Sequence, residues 1–345
     1  VQHVTWFEEL TGFREESPEQ VREKMLVERD KLRSLVNGRT YYCGTLETPS
    51  LAELRARVRE CDLPTGAISL REVVADVQSL HLDQANAGAL FQVASQFNLL
   101  EMASPERTPE DGVGIYQFDH TQGPACAIAA GAGTIFRNYF VRIDDQTGQS
   151  AERQIDCLAD LGAALGNEGA RLWTMRNGYA LASADGLDEI TAILDEASNN
   201  ERDELRQLLR IGVQWNTEVT FSQSGREASG DDLGSHTVSQ AYCAALPIGY
   251  SRHSPDAWEP FARLVLEATY EATMSSAILN YVHSGNNTLY LTLVGGGVFG
   301  NRIDWIIDAI RRAIELHRAI GLDVAIVSYA RSKPAVRQLI AELDS

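Results

Sequence analysis

Three consecutive glycines, Gly295-Gly296-Gly297, continue into Val298-Phe299-Gly300-Asn301 and form the segment of this chain best suited to chemistry. Glycine lets backbone N–H groups turn toward an anion, and a helix beginning just after such a loop adds a favourable dipole at its N-terminus. The run satisfies G-x-G-x-x-G, a pattern that suits a pyrophosphate; a turn needing glycine only for tight packing is the plainer reading. A second small-residue stretch, Gly123 to Gly133, follows Asp119-His120-Thr121-Gln122 and permits close approach of a ligand or of another helix. Three acids stand before it. Glu101 ends Ser95-Gln96-Phe97-Asn98-Leu99-Leu100-Glu101, where polar side chains interrupt an apolar run, and either faces a ligand or faces solvent. Asp119 lies between Ile115–Phe118 and Gln122-Gly123-Pro124, which puts it at a pocket rim or makes it the N-cap of the next helix. Asp111 is a loop acid with a lesser claim. His120 suits a rim better than a base, Cys126 packing better than a nucleophile, and Arg137 either a phosphate or an acid. Ser222 and Ser224 lack the surroundings of a nucleophile elbow.

The elements that must position these residues can be read from periodicity and caps. The first 65 residues read as helical: Ser17-Pro18-Glu19-Gln20 opens a helix with Val21, Met25, Leu32 and Val36 on one face, closed by Asn37-Gly38, and Ser50 with Glu53 opens another. Ile68–Val74 and Ala89–Ala94 read as strands, the second apolar enough to be buried on both faces. Between about 151 and 235 lies an insertion holding a helix from Gln154 to Leu165, a hairpin through Arg176-Asn177-Gly178-Tyr179 and an acidic helical stretch from Leu187 to Leu209. Strand 236–246, a long helix opened by Ser254-Pro255, strand 288–294, the glycine loop, helix 303–320 and strand 324–328 make a βαβαβ series. The chain thus divides into a helical N-terminal extension, 1–65, and an α/β domain, 66–345.

Composition narrows the function classes. With 48 Asp and Glu against 30 Lys and Arg, the net charge is −18, and no basic cluster suits a nucleic-acid backbone. The 345 residues contain no window apolar enough for a membrane span and no visible signal peptide. Five scattered cysteines without a Cys-x-x-Cys pair fit a reducing compartment, and neither they nor the seven histidines show metal-ligand spacing. No cofactor or metal is therefore expected. A dehydrogenase is disfavoured because the strand after the glycine loop closes with Tyr329-Ala330-Arg331, where a dinucleotide fold needs an acid for the ribose.

Over about 236–330, the run Tyr242-Cys243-Ala244-Ala245-Leu246-Pro247, a long helix, a strand, Gly295–Asn301, a helix and Val324-Ala325-Ile326-Val327-Ser328-Tyr329 resembles the C-terminal half of the macrodomain family, whose members bind ADP-ribose. Gly297-Val298-Phe299-Gly300 is similar to the corresponding step of poly(ADP-ribose) glycohydrolases. The insertion and divergent loops look closer to an effector class of macrodomain that removes ADP-ribose from ubiquitin. Neither an Asn-Ala-Ala-Asn stretch nor a Gly-Gly-Gly followed by Gln-Glu-Glu is present.

The resemblance implies a three-layer α/β/α fold around a mixed sheet. It puts Gly295, Gly296, Gly297, Val298, Phe299, Gly300 and Asn301 around the diphosphate, with Phe299 near the distal ribose or base. Asn98 would lie beside the distal ribose, Gln122, Gly123 and Cys126 on the second diphosphate loop, and Glu101 on the adenine amino group or a ribose hydroxyl. The implied activity is hydrolysis of the glycosidic bond between ADP-ribose and a modified protein, with Asp119 activating water or stabilising the oxocarbenium-like transition state. The alternative is a noncatalytic ADP-ribose reader. The implied partners are ADP-ribose and an ADP-ribosylated protein, ubiquitin among the candidates, in the cytoplasm or as a delivered effector, with no nucleic acid or membrane involved.

Overall fold

Thr5 and Ser17 cap two short helices, α1 (Trp6–Thr11) and α2 (Pro18–Lys24). The second stops at Lys24 instead of reaching Asn37. Beyond it, β1 (Met25–Glu28), β2 (Lys31–Ser34) and β3 (Thr40–Tyr42) form a small antiparallel sheet. Arg29, at φ 59°, and Asp30 make the two-residue turn between the first pair. Met25 and Leu32 share a face in a helix, but they also share one in this hairpin, where Met25 faces Ser34 and Val27 faces Leu32. Too few apolar positions separate the two periods.

A computed structural model describes residues 4–221 and 235–344. Ser222 and Ser224 lie outside the described residues. After the N-terminal sheet come β4 (Thr45–Glu47), α3 (Leu51–Arg59), β5 (Ser69–Val74), α4 (Val77–Leu82), β6 (Leu90–Ser95), α5 (Gln122–Ala129) and α6 (Gly131–Tyr139). The middle of the chain gives the two-residue strands β7 (Arg142–Ile143) and β8 (Gln146–Thr147), then α7 (Ala159–Leu165), hairpin β9 (Trp173–Arg176) and β10 (Tyr179–Ala182), α8 (Ala184–Glu196) and α9 (Asn199–Arg206). The rest is β11 (Gly212–Glu218), β12 (Thr237–Ala244), α10 (Pro255–Ser284), β13 (Thr288–Leu291), α11 (Ile303–Leu316), β14 (Asp323–Ser328) and α12 (Pro334–Leu343).

Seven of these strands form one mixed sheet in the order β4-β11-β12-β6-β13-β14-β5. The five from β12 to β5 run parallel, while β11 is antiparallel to both of its neighbours. The sheet therefore draws β4 from the first 65 residues and β11 from the 151–235 stretch, so neither segment stands apart from the domain. Alternation along β12 shows the layering: Gln240 donates to the Cys126 carbonyl in α5 on one face, and the Cys243 thiol meets Thr273 of α10 on the other. Helices α3, α8, α9 and α11 pack on α10, and α4 and α6 pack on α5, giving three α/β/α layers. A second apolar core joins Phe7, Leu10, Val21 and Leu32 of the N-terminal segment to Ala132 and Ile135 of α6. None of the described helices is long and apolar enough to cross a membrane.

Candidate functional site

The middle of the sheet opens at its carboxyl end. Strands β6 and β13 pair only at Leu90–Leu289 and Phe91–Tyr290 and then part. The Gln122 side chain enters the gap, accepting from Ala94 N–H at 2.9 Å and donating to the Gln92 carbonyl at 2.9 Å. Two cavities flank this split, one of about 160 Å³ and one of about 1060 Å³. They meet at a neck bordered by Thr121 and Gln122 of the α5 entry and by Leu293 and Gly297 of the glycine loop. Such a crevice beyond the strand ends is where open α/β sheets take ligands.

The glycine loop is held from three directions. The Tyr270 hydroxyl of α10 donates to the Thr292 carbonyl and accepts from Val294 N–H, fixing the approach. Asn301 folds back to donate to the Leu246 and Gly295 carbonyls, and Gly249 N–H donates to the Phe299 carbonyl at 2.8 Å. Gly295 sits at φ 75°, and a Cβ there would lie 2.5 Å from the Ala245 methyl, so the backbone itself requires that glycine. Gly297 differs: a Cβ on it would meet nothing within 4 Å. The fold leaves room there, and the space belongs to the neck. Among the described residues, the N–H groups of Gly297, Val298 and Phe299 have no acceptor, and α5 adds the free donors of its first turn across the neck. The arrangement can bind an anion through backbone alone.

Glu101 faces the smaller cavity. It is 4 % exposed, and its Oε1 is buried with no hydrogen-bond partner. Its Oε2 lies 2.2 Å from where a Cβ on residue 123 would be, so Gly123 is what lets the carboxyl rest against the start of α5. Burial pushes this carboxyl well above its ordinary range, Asp119 adding to the effect and the Ser95 hydroxyl and Arg137 opposing it. Burial thus favours the protonated, neutral form of Glu101 over the carboxylate. Its own N–H donates to the Tyr116 hydroxyl at 3.0 Å. The loop carrying Tyr116 is pinned by Glu15, which accepts from Val113 N–H at 2.8 Å and Gly114 N–H at 2.7 Å and takes the Tyr139 hydroxyl at 2.5 Å. Trp6 reinforces the pin by donating to the Val113 carbonyl at 3.0 Å.

The expected site residues separate into three groups. Asp119, Glu101, Gly123, Gly295, Gly297, Val298 and Phe299 all border the smaller cavity, while Gly296 and Asn301 border the larger one. Asp119 does not cap α5; its Oδ1 accepts from the N–H and hydroxyl of Thr121, and it sits half-buried at the rim. Gln122 borders both cavities, yet its amide is occupied by the β6 backbone. Asn98, Cys126 and Gly300 border neither. Asn98 is fully buried in a turn, accepting from Leu100 N–H and donating to Gln154, and Leu99 at φ 65° completes that turn. Cys126 is packed under the sheet, where burial raises its thiol. Gly300, at φ 74°, closes the loop against Gly249. Arg137 is buried over the Tyr242 ring and, among the described residues, bonds neutral groups alone: Leu99, Gln214 and Thr134. Asp111 caps its own loop through Thr108 N–H.

Two aromatics complete the smaller cavity without any signal in the motif. Tyr179, from the Asn177-Gly178 hairpin, and Tyr250 pack with Phe299 as a trio at ring separations of 5.0 to 5.6 Å. The Tyr179 hydroxyl donates to the Met102 carbonyl at 2.6 Å and so ties the 151–235 stretch to the loop beside Glu101. Burial of Glu101 does have a trace in the sequence: it stands between Leu99-Leu100 and Met102-Ala103. Among the described residues, no group of three His, Cys, Asp or Glu is placed to hold a metal ion.

No family model and no curated relative matches the chain. Among solved structures it is similar to poly(ADP-ribose) glycohydrolase from Deinococcus radiodurans in complex with ADP-ribose, at 14 % identity and a TM-score of 0.45 over 96 % of this chain and 99 % of that one. It is also similar to poly(ADP-ribose) glycohydrolase from Thermomonospora curvata bound to the inhibitor ADP-HPD, at 12 % identity and a TM-score of 0.45 over 94 % of this chain and 95 % of that one.

Proposed function

We propose that this chain binds ADP-ribose across the two cavities and hydrolyses the glycosidic bond joining it to a modified protein. The observation that carries the reading is the shape and donor pattern of the crevice. A neck with unpaired backbone N–H groups separates a chamber of about 160 Å³ from one of about 1060 Å³. A cavity of about 150 Å³ holds a ring the size of benzene, so the smaller chamber suits one pentose. The larger one, bordered by Tyr329 and Asp76, has room for a nucleoside. The diphosphate then occupies the neck, where an acidic chain can still bind it through N–H groups.

Chemistry belongs to the smaller chamber. Glu101, kept neutral, gives its proton to the leaving atom as the anomeric carbon–leaving-group bond breaks. Asp119 at the rim takes a proton from the water whose oxygen bonds to the anomeric carbon, and it faces the positive charge that develops on the sugar ring. The test is calorimetric titration with ADP-ribose, followed by release assays on a panel of ADP-ribosylated proteins that includes ubiquitin. Asp119→Ala should abolish release while ADP-ribose binding persists. Binding with no release from any substrate would assign the crevice to a reader. Absence of ADP-ribose binding would overturn the proposal.

A further inference from the structure

The larger chamber carries a charge feature to which the proposed ADP-ribose reading assigns no role. Arg331 and Lys333 both border it, and among the described residues neither has an acidic partner within ion-pairing distance. In this chain cations elsewhere are commonly paired: Arg55, Arg206, Arg263 and Arg312 each hold a carboxylate at 2.6 to 2.8 Å. The nearby acids are otherwise engaged. Glu72 accepts from the Ser328 and Ser332 hydroxyls and from Lys333 N–H, so its carboxylate is turned onto backbone and hydroxyls and does not border the chamber. Asp76 does border it, with its Oδ1 held by the N–H groups of Gln78 and Ser79.

The place of these cations in the topology gives them a partner chemistry. Strands β13 and β14 are adjacent and parallel, and the glycine loop and α11 connect them. This chain is not read as a dinucleotide fold, but it shares that fold's local strand–loop–helix–strand unit, and in the dinucleotide fold the residues closing the second strand face the adenosine ribose. An acid there accepts the ribose hydroxyls, whereas an arginine accommodates a phosphate on the 2′-oxygen. Here the strand closes into Tyr329-Ala330-Arg331-Ser332-Lys333, which contains two cations and no acid.

We infer that the larger chamber selects an ADP-ribose unit carrying a 2′-phosphate on its adenosine ribose, with Arg331 and Lys333 holding that phosphate. This rests on the ADP-ribose reading above and narrows its substrate class.

The experiment is paired calorimetric titration of the full chain with ADP-ribose and with ADP-ribose 2′-phosphate, repeated at increasing salt and with the Arg331→Ala/Lys333→Ala double variant. The phosphorylated ligand should bind about tenfold more tightly or better at low salt, in line with two charge-assisted contacts. The advantage should shrink as salt rises and vanish in the double variant. Equal or weaker binding of the phosphorylated ligand, or an advantage that survives in the double variant, overturns this inference and leaves the ADP-ribose reading standing. If neither ligand binds, both fall.

Discussion

Glu101→Gln replaces a buried carboxyl with an amide of the same shape that cannot ionise or surrender a proton, and it should separate activity from stability. Loss of a positioned proton donor costs about a hundred- to ten-thousand-fold in rate. Stability should move the other way. Burial holds the folded-state carboxyl well above 4.5, its ordinary value. Between that value and the raised one, the folded protein keeps a proton that the unfolded chain releases. The folded state then binds more protons than the unfolded state, so wild-type stability falls as pH rises through this window, by about 1.4 kcal/mol per pH unit. For a chain of this size each such pH unit corresponds to about two to three degrees in Tm. The amide has no such slope. Thermal unfolding of wild type and variant from pH 5 upward should show the variant gaining steadily on the wild type, while its release of ADP-ribose from modified protein collapses. A Tm difference that does not change with pH, or wild-type turnover in the variant, would refute the reasoning.

Three further outcomes follow from the same geometry. Gly297→Ala should leave the unfolding free energy within about 1 kcal/mol of wild type, since glycine-to-alanine effects are of that size where no clash intervenes; calorimetry should nonetheless find ADP-ribose affinity reduced by about tenfold or more, because the new methyl enters the neck. Glu15→Ala strands the N–H groups of Val113 and Gly114 and the Tyr139 hydroxyl, at about 1–3 kcal/mol for each buried orphan; Tm should drop, and limited proteolysis should cut within residues 104–121. ADP-ribose affinity should weaken as pH rises through the titration of Glu101, because ionisation would put a negative charge beside a bound dianion. The Glu101→Gln variant, titrated across the same range, should show no such decline.

Local signals carried much of the fold. Ser50 with Glu53 forms the reciprocal cap of α3, and Ser254-Pro255 starts α10 where capping chemistry puts it. The apolar runs at 90–95 and 237–244 are strands buried on both faces. The position of the glycine loop between β13 and α11 was equally readable, because its shape depends on consecutive residues. Long-range arrangements left no such trace. Glu101 is buried by Gly123 and tied by Tyr116, and nothing in the sequence around Glu101 announces either partner. Asp119 looked more favourable because it adjoins a visible turn. Asn98 and Cys126 sit in the right segments but turn away from the crevice, since one shapes a buried turn and the other lies on the packed side of α5. In the N-terminal segment Met25 and Leu32 fit a helix and a hairpin alike, and the Arg29-Asp30 turn decides for the hairpin.

The net charge of −18 and a site for a dianion are compatible because the crevice handles its electrostatics locally. Two unit charges about 8 Å apart interact by about 2 kcal/mol at an effective dielectric of 20, so one ionised carboxyl next to a diphosphate is a substantial penalty. On the proposed reading, burial of Glu101 lessens that penalty by favouring its protonated form, and the same proton is the one the leaving atom takes. The feature that makes the residue chemically useful is also what makes the pocket tolerant of its ligand. Exposed acids elsewhere are screened beyond about 8–10 Å at physiological salt and contribute little inside the neck. What remains there is set by neutral donors, Gly297 to Phe299 on one side and the first turn of α5 on the other. On the proposed reading, the acidic surface can attract a basic ADP-ribosylated protein without weakening a site whose donors are local and neutral.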